Sequence, residues 1–116
     1  MNKETSLVSQ SKEPSDSDRV FALVKQIPEG KVMNYGQVGM SLDPPITART
    51  VGWIMHRSEE DVPWWRVVGA DGSILLTKSN TEAALLQFHM LQKEGVAFTP
   101  SEKVRMKQHR WVPENL

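Results

Sequence analysis

Residues 34–57 read NYGQVGMSLDPPITARTVGWIMHR, and the fold turns on this stretch. Asn34 can cap a helix through its side-chain oxygen, and Gln37 three residues on closes a variant of the capping box. The helix it opens is short, since Asp43-Pro44-Pro45 stops it near Leu42. Thr47 caps the next helix, with Ile46 and Val51 at the N′ and N4 positions of a hydrophobic staple. Val51, Ile54 and Met55 form its apolar stripe, and Gly52 predicts close packing against a neighbour. Helix, tight turn with two prolines, helix is the layout of a helix-turn-helix unit, although helical hairpins are common in small domains.

Working outward, Val20, Leu23, Val24 and Ile27 fall at i, i+3, i+4 and i+7. This spacing predicts an amphipathic helix over 18–27, capped by Ser17 or Asp18 and ended by Pro28 and Gly30. Residues 1–16 are too polar to offset their ordering entropy and are expected to form a disordered tail, with the folded domain over 17–116. On the other side, Arg66 to Leu76 reads as two short strands around Ala70-Asp71-Gly72-Ser73, a β-hairpin wing. Ser79 with Glu82 predicts another capping box, opening a helix with Ala84, Phe88 and Leu91 on one face and Gly95 at C′. The basic stretch Glu102 to Trp111 is expected to lie along the domain as irregular chain. The fold class is mainly α, winged helix-turn-helix-like, with a short β-hairpin.

The 116 residues suffice for one domain with one modest core. Apolar residues at 39% and charged residues at 24% fit a globular chain. Fourteen Lys and Arg balance fourteen Asp and Glu, so nucleic-acid binding has to come from a local patch. Cysteine is absent, which excludes disulfides, thiolate metal sites and a cysteine nucleophile. No apolar run is long enough to span a bilayer, and the polar N-terminus has no apolar core of a secretory signal, so a cytoplasmic location is expected.

Candidates for chemistry are few. There is no Gly-x-Ser-x-Gly turn and no phosphate-binding glycine loop. His56, His89 and His109 lack metal-ligand spacing, and neither metal nor cofactor is expected. Glu59-Glu60-Asp61 reads as a solvated acidic loop. The outstanding segment is Val62-Pro63-Trp64-Trp65-Arg66-Val67-Val68-Gly69. The proline before the two tryptophans predicts extended backbone through them, and in an extended chain neighbouring side chains point to opposite sides. One tryptophan then faces the core while the other lines a surface or cavity, where an indole wall is worth ~1–3 kcal/mol to a stacked base. Arg49 lies in the first turn of its helix, where the dipole disfavours a cation by about a few tenths of a kcal/mol. It is either an ordinary surface arginine or one that projects into DNA. Tyr35, the single tyrosine, either packs locally or offers its hydroxyl to a phosphate.

Taken together these pieces resemble a known family. Ile27-Pro28-Glu29-Gly30-Lys31-Val32 followed by Tyr35-Gly36-Gln37-Val38 resembles the entry to the DNA-binding domain of O6-alkylguanine-DNA alkyltransferases. Ala48-Arg49-Thr50-Val51-Gly52 resembles their recognition helix, and Pro63-Trp64-Trp65-Arg66-Val67-Val68 their Pro-Cys-His-Arg-Val-Val motif. The likeness runs in order from about Val20 to Gly95. The ending His109-Arg110-Trp111-Val112-Pro113 looks like that of the alkyltransferase-like proteins, in which tryptophan replaces the reactive cysteine.

The resemblance implies roles for particular positions. Trp64 stands where the alkyl-accepting cysteine would be. Arg49 matches the finger that enters through the minor groove and fills the gap left by a flipped nucleotide. Tyr35 matches the tyrosine that helps turn that nucleotide out, and Val67 a residue whose backbone reads the base. Thr77 and Lys78 fall on the pocket rim. DNA contacts are thereby assigned to Tyr35, Thr47, Ala48, Arg49, Gly52 and Arg57, and the lesion pocket to Tyr35, Trp64, Trp65, Val67, Thr77 and Lys78. This sequence departs from the family at the histidine position, which is Trp65, and the orienting glutamate is expected at Phe88. Nucleophile, base and acid then read Trp64, Trp65 and Phe88, leaving no transferase chemistry. The reading is a monomeric, non-enzymatic sensor of O6-alkylguanine in double-stranded DNA, marking lesions for nucleotide excision repair proteins, with no membrane partner. Two alternatives stand beside it. A major-groove transcriptional regulator needs base-reading side chains over 48–55, where Ala48, Val51, Gly52, Trp53 and Ile54 offer few. A protein-interaction module would use exposed tryptophans as anchors.

Overall fold

The computed structural model describes residues 13–57, 61–74 and 81–113. Helix α1 (Asp16–Val24) is opened by Ser15, whose hydroxyl accepts the Asp18 N–H while Asp18 accepts the Ser15 N–H. The cap is thus Ser15 rather than Ser17 or Asp18, because the reciprocal box needs a side-chain acceptor three residues after the cap. Asp16 therefore belongs to the helix; of the rest of the expected tail, residues 1–12 lie outside the described residues. After Val24 the chain tightens through Gln26 N–H to Leu23 O and Ile27 N–H to Val24 O before Pro28.

Strand β1 (Met33–Asn34) runs straight into α2 (Tyr35–Met40). The capping box is the one read from the sequence: Gln37 N–H donates to Asn34 Oδ1 at 2.7 Å, and Asn34 N–H to Gln37 Oε1 at 3.2 Å. Helix α3 (Ala48–Met55) is capped by Thr47, whose Oγ1 accepts the Thr50 N–H at 3.1 Å. A 3-10 turn (Trp64–Arg66), strand β2 (Val67–Val68), helix α4 (Thr81–Lys93) and the short α5 (Met106–His109) follow. Ser79, expected to cap α4, lies outside the described residues, but the helix ends as expected with Gly95 at φ +89°.

The expected hairpin extends beyond the described residues, and the strand pairing the structure describes is a different one. β2 runs parallel to β1, with Met33 opposite Val67 and Asn34 opposite Val68. The turn at 70–73 does form, closed by Gly69 N–H to Ser73 O at 2.8 Å, while the second arm at 75–76 lies outside the described residues. Val67 and Val68 are both fully buried, as in a strand covered on both faces. Alternation along these strands divides the core. Met33 and Val67 face a cluster with Val24, Val38, Val51 and Met55, whereas Val32 and Val68 face Leu91, Val96 and Val104. The C-terminal stretch is less irregular than expected: besides α5, it ties to Val32 through Val32 N–H to His109 O and Trp111 N–H to Val32 O.

The glycine that lets α2 and α3 approach is Gly39, not Gly52. A Cβ on Gly39 would lie 2.2 Å from the Ile46 carbonyl oxygen, whereas one on Gly52 meets no protein atom within 4 Å. Ile46 N–H returns to Gly39 O at 3.1 Å, so neither backbone segment can withdraw without losing that bond. Gly39→Ala is therefore expected to cost about 1–3 kcal/mol in urea unfolding, while Gly52→Ala leaves stability within about 0.5 kcal/mol.

Candidate nucleic-acid interface

Helix α3 turns Val51 and Met55 into the core, which by its 3.6-residue period leaves Arg49, Gly52, Trp53 and His56 on the opposite face. These four, with Arg57, line an open groove. A neighbouring groove adds Ser15, Asp16 and Ser17 from the start of α1. Among the described residues neither arginine of this face has an ion-pair partner, while Asp16 is held by Arg19 at 2.6 Å. Thr47 and Ala48 are exposed at the helix start, with the Thr47 hydroxyl engaged in its cap. Of the six predicted DNA contacts, the structure brings Arg49, Gly52 and Arg57 onto one surface. Tyr35 is placed otherwise: its ring is 7% exposed and packs in the first core cluster. Burial pushes its hydroxyl up to about 12, so it stays a neutral donor.

The tryptophan pair does not sit in extended chain. Pro63 leads into the 3-10 turn, and successive side chains of such a turn diverge by about 120°. Trp64 packs against the first core cluster and Trp65 against the second, both half-buried. Their rings meet edge to face, centroids 5.9 Å apart and planes at 84°. Val67 is fully buried, and its backbone is engaged as well: its N–H donates to the Trp64 carbonyl, so the structure places no part of it at the surface. Thr77 and Lys78 lie outside the described residues.

The carboxylate beside this turn belongs to Glu94. Its Oε2 accepts the Trp65 indole N–H at 2.7 Å and Arg66 NH2 at 2.7 Å, and its Oε1 accepts Gly30 N–H at 2.9 Å. Arg66 also donates through NH1 to Ile27 O at 2.8 Å and lies over the Trp65 ring at 5.5 Å. Phe88, expected at the acid position, is not there; it packs on Phe98 with centroids 4.5 Å apart. Six residues along a helix rotate a side chain through about 600°, so Phe88 and Glu94 project from different faces. The acid beside Trp64 and Trp65, expected at Phe88, is therefore Glu94 in space.

Two further residues escaped the sequence reading. Gln87, fully buried, donates its amide N–H groups to Trp65 O at 3.1 Å and Val67 O at 3.0 Å, pinning both sides of the turn. Trp53 stands on the groove face of α3. A signal for Glu94 was present, since an acid beside a C′ glycine works against the helix dipole and needs a cationic partner. None marked Gln87, whose partners are backbone carbonyls.

With this geometry in view, comparison with known proteins is decisive. The model of the DNA-binding domain of 6-O-methylguanine DNA methyltransferases matches residues 16–96. The chain belongs to that family. Within it, the chain is 37% identical over 102 residues to the DNA base-flipping protein of Escherichia coli, covering 86% of this chain and 77% of that protein. It is 32% identical to alkyltransferase-like protein 1 of Schizosaccharomyces pombe, over 82% of this chain and 93% of the relative. The fold superposes on S. pombe Atl1 in complex with damaged DNA containing O6-carboxymethylguanine with a TM-score of 0.69 at 28% identity, covering 84% and 94% of the two chains. The Mycobacterium tuberculosis OGT in complex with DNA matches less extensively, with a TM-score of 0.60 at 26% identity over 71% of this chain and 51% of that one. Among the described residues no helix is long and apolar enough to cross a membrane, and no group of three His, Asp or Glu could hold a metal ion.

Burial alone would raise the Glu94 carboxyl, but Arg66, the Gly30 N–H and the Trp65 indole outweigh it and hold the group below the ordinary glutamate range. A folded-state value below the unfolded one contributes stability that is complete above the ordinary range and lost as pH falls through the depressed value. The Arg66 and Glu94 side chains are only 15% and 9% exposed. Glu94→Gln is expected to cost about 3 kcal/mol at neutral pH by leaving the Arg66 charge unpaired. Urea unfolding across pH should show the gap to wild type narrowing once the medium falls below the glutamate range.

Proposed function

We propose that this chain recognises O6-alkylguanine in duplex DNA, turns the damaged nucleotide out of the stack and performs no chemistry on it. The observation that carries the reading is the trio Trp64, Trp65 and Glu94. The position equivalent to the reactive cysteine holds an indole carbon framework with no nucleophile. The position behind it holds a second indole, whose single polar atom is a donor already committed to Glu94. Glu94 can orient a base, but no base is present for it to orient. The relatives support the recognition half: one is named for base flipping, and another forms a complex with DNA containing O6-carboxymethylguanine.

In this mechanism the outer face of α3 docks in the minor groove, with Arg49 and Arg57 as its cations and the exposed helix start near the phosphates. Arg49 occupies the space vacated by the extruded nucleotide. Extrusion costs a few kcal/mol, and less for a poorly paired damaged guanine, which favours the lesion before any pocket contact is made. The alkyl group then packs on Trp64, an apolar wall that an unmodified guanine leaves uncovered. Because no bond is made or broken the complex persists, a monomer on DNA in the cytoplasm and at the nucleoid, and marks the site for nucleotide excision repair proteins. Thr77 and Lys78 complete the rim in this reading.

Titration of tryptophan fluorescence with two duplexes, identical except for one O6-methylguanine, tests the proposal. The methylated duplex is expected to bind more tightly, with affinity falling as salt rises and the lesion recovered unchanged. Equal affinity for the two duplexes, or demethylation of the bound one, would refute it. Arg49→Ala should weaken lesion binding by about tenfold or more through loss of the plug; near-wild-type affinity removes that role. Trp64→Ala should erode the preference for the methylated duplex while urea unfolding confirms the variant is folded. An undiminished preference would make Trp64 a packing residue.

A further inference from the structure

The four tryptophans of the chain have different surroundings. Trp64, Trp65 and Trp111 are half-buried, whereas Trp53 is 65% exposed in the middle of α3. A single exposed apolar side chain needs no explanation by itself. Its neighbours supply one. Trp53 follows Arg49 by four residues on the same face, so the two side chains are adjacent on the helix surface and their Cα atoms are about 6 Å apart along the axis. Arg57 follows one turn later, and the groove they line also holds Gly52 and His56 but no carboxylate. The nearest acid among the lining residues of the adjoining groove, Asp16, is neutralised by Arg19. The surface thus pairs cations lacking an internal partner among the described residues with a flat apolar ring. Such a pairing fits an anionic ligand that also presents flat apolar edges, which is duplex DNA rather than an acidic peptide.

The open ground at Gly52 has the same implication. Nothing in the fold requires a glycine there, since a Cβ would meet no atom within 4 Å. Its absence lets an incoming surface approach the backbone between Arg49 and Trp53. Minor-groove proteins commonly insert apolar wedges at base steps, and bases are about 3.4 Å apart along each strand. An advance of about 6 Å along the helix therefore brings a side chain within about two base steps of Arg49.

We propose that Trp53 is a second groove wedge. Its indole packs on the sugar and base edges beside the nucleotide that Arg49 displaces, and it adds affinity that does not depend on the lesion. This rests on the function proposed above and deepens it by separating two jobs on one surface: Trp64 discriminates the alkyl group, while Trp53 and the arginines hold the duplex.

The test uses the full chain, the same guanine and O6-methylguanine duplexes, and the variants Trp53→Ala and Trp53→Phe, with urea unfolding confirming that both remain folded. Trp53→Ala is expected to weaken binding to both duplexes by about tenfold and leave their ratio unchanged, with Trp53→Phe recovering most of the loss. Acrylamide should quench an accessible component of wild-type emission that Trp53→Phe lacks, and duplex binding should protect it. Wild-type affinity of Trp53→Ala, in a protein whose binding still depends on Arg49, overturns this inference and leaves the function standing. A change in the ratio without loss of affinity for plain duplex moves Trp53 to the lesion pocket and also overturns it. Failure of the wild-type chain to bind either duplex removes both readings. Concentration-dependent dimerisation in sedimentation that Trp53→Ala abolishes assigns the indole to a second copy and overturns the wedge.

Discussion

A single part-buried carboxylate holds the architecture of the site together. Glu94 accepts N–H donors from Gly30 in the loop after α1, from Trp65 and from Arg66, while Arg66 reaches on to the Ile27 carbonyl. The loop that ends α1, the 3-10 turn and the end of α4 thus converge on one charge pair. A carboxylate at a helix C-terminus faces the negative end of the dipole and, when buried, loses its water, so it needs this dense set of donors. The arrangement serves better as a locator than as a source of stability, because the desolvation of both ions offsets much of their attraction. What it locates is the turn. Gln87 completes the restraint from below by donating to the Trp65 and Val67 carbonyls, while its own Oε1 finds no partner within the described residues.

That restraint also decides where the two indoles go. With the turn pinned, Trp64 rests on the α1, α2 and α3 core and Trp65 on the α4 and C-terminal core, so the two large rings do not compete for one space. The same Glu94 that would steer a base instead fixes an indole through its N–H. Replacing the base by a donor-only ring keeps the hydrogen bond and removes the proton-accepting function. The groove face of α3 is a separate construction. It hangs on the Gly39 to Ile46 approach, which sets α3 against α2 and turns Arg49 and Trp53 outward. The tryptophan turn and the outer face of α3 are thereby held by different contacts around one core.

Legibility in the sequence followed the range of the interactions. The capping box at Asn34 and Gln37, the Thr47 cap and the Gly95 stop were all readable because their partners lie within a few residues, where spacing alone implies geometry. The cap of α1 was misplaced by two residues for a local reason: several polar residues in a row could each start a helix, and the reciprocal acid at Asp18 selects Ser15. Family resemblance located the tryptophan turn and the arginine of α3. It also placed the orienting acid at Phe88, whereas the carboxylate that meets Trp65 is Glu94. Helical rotation is unforgiving of such a slip, since Phe88 and Glu94 point to different faces.

Residue type and near-neighbour spacing were enough for the helix-turn-helix pair with its caps at Asn34 and Thr47, the absence of a cysteine nucleophile and the position of Trp64. Only the tertiary structure decided that β2 pairs in parallel with β1, that Gly39 and not Gly52 is the close-approach glycine, and that Glu94 meets Trp65 and Arg66. Each of these joins segments tens of residues apart, where no periodicity links the partners and burial, donor count and steric fit choose among many candidates. The exposure of Trp53 belongs to the same class. An apolar stripe can be read from spacing, but which side of a helix stays in water depends on what packs against the other.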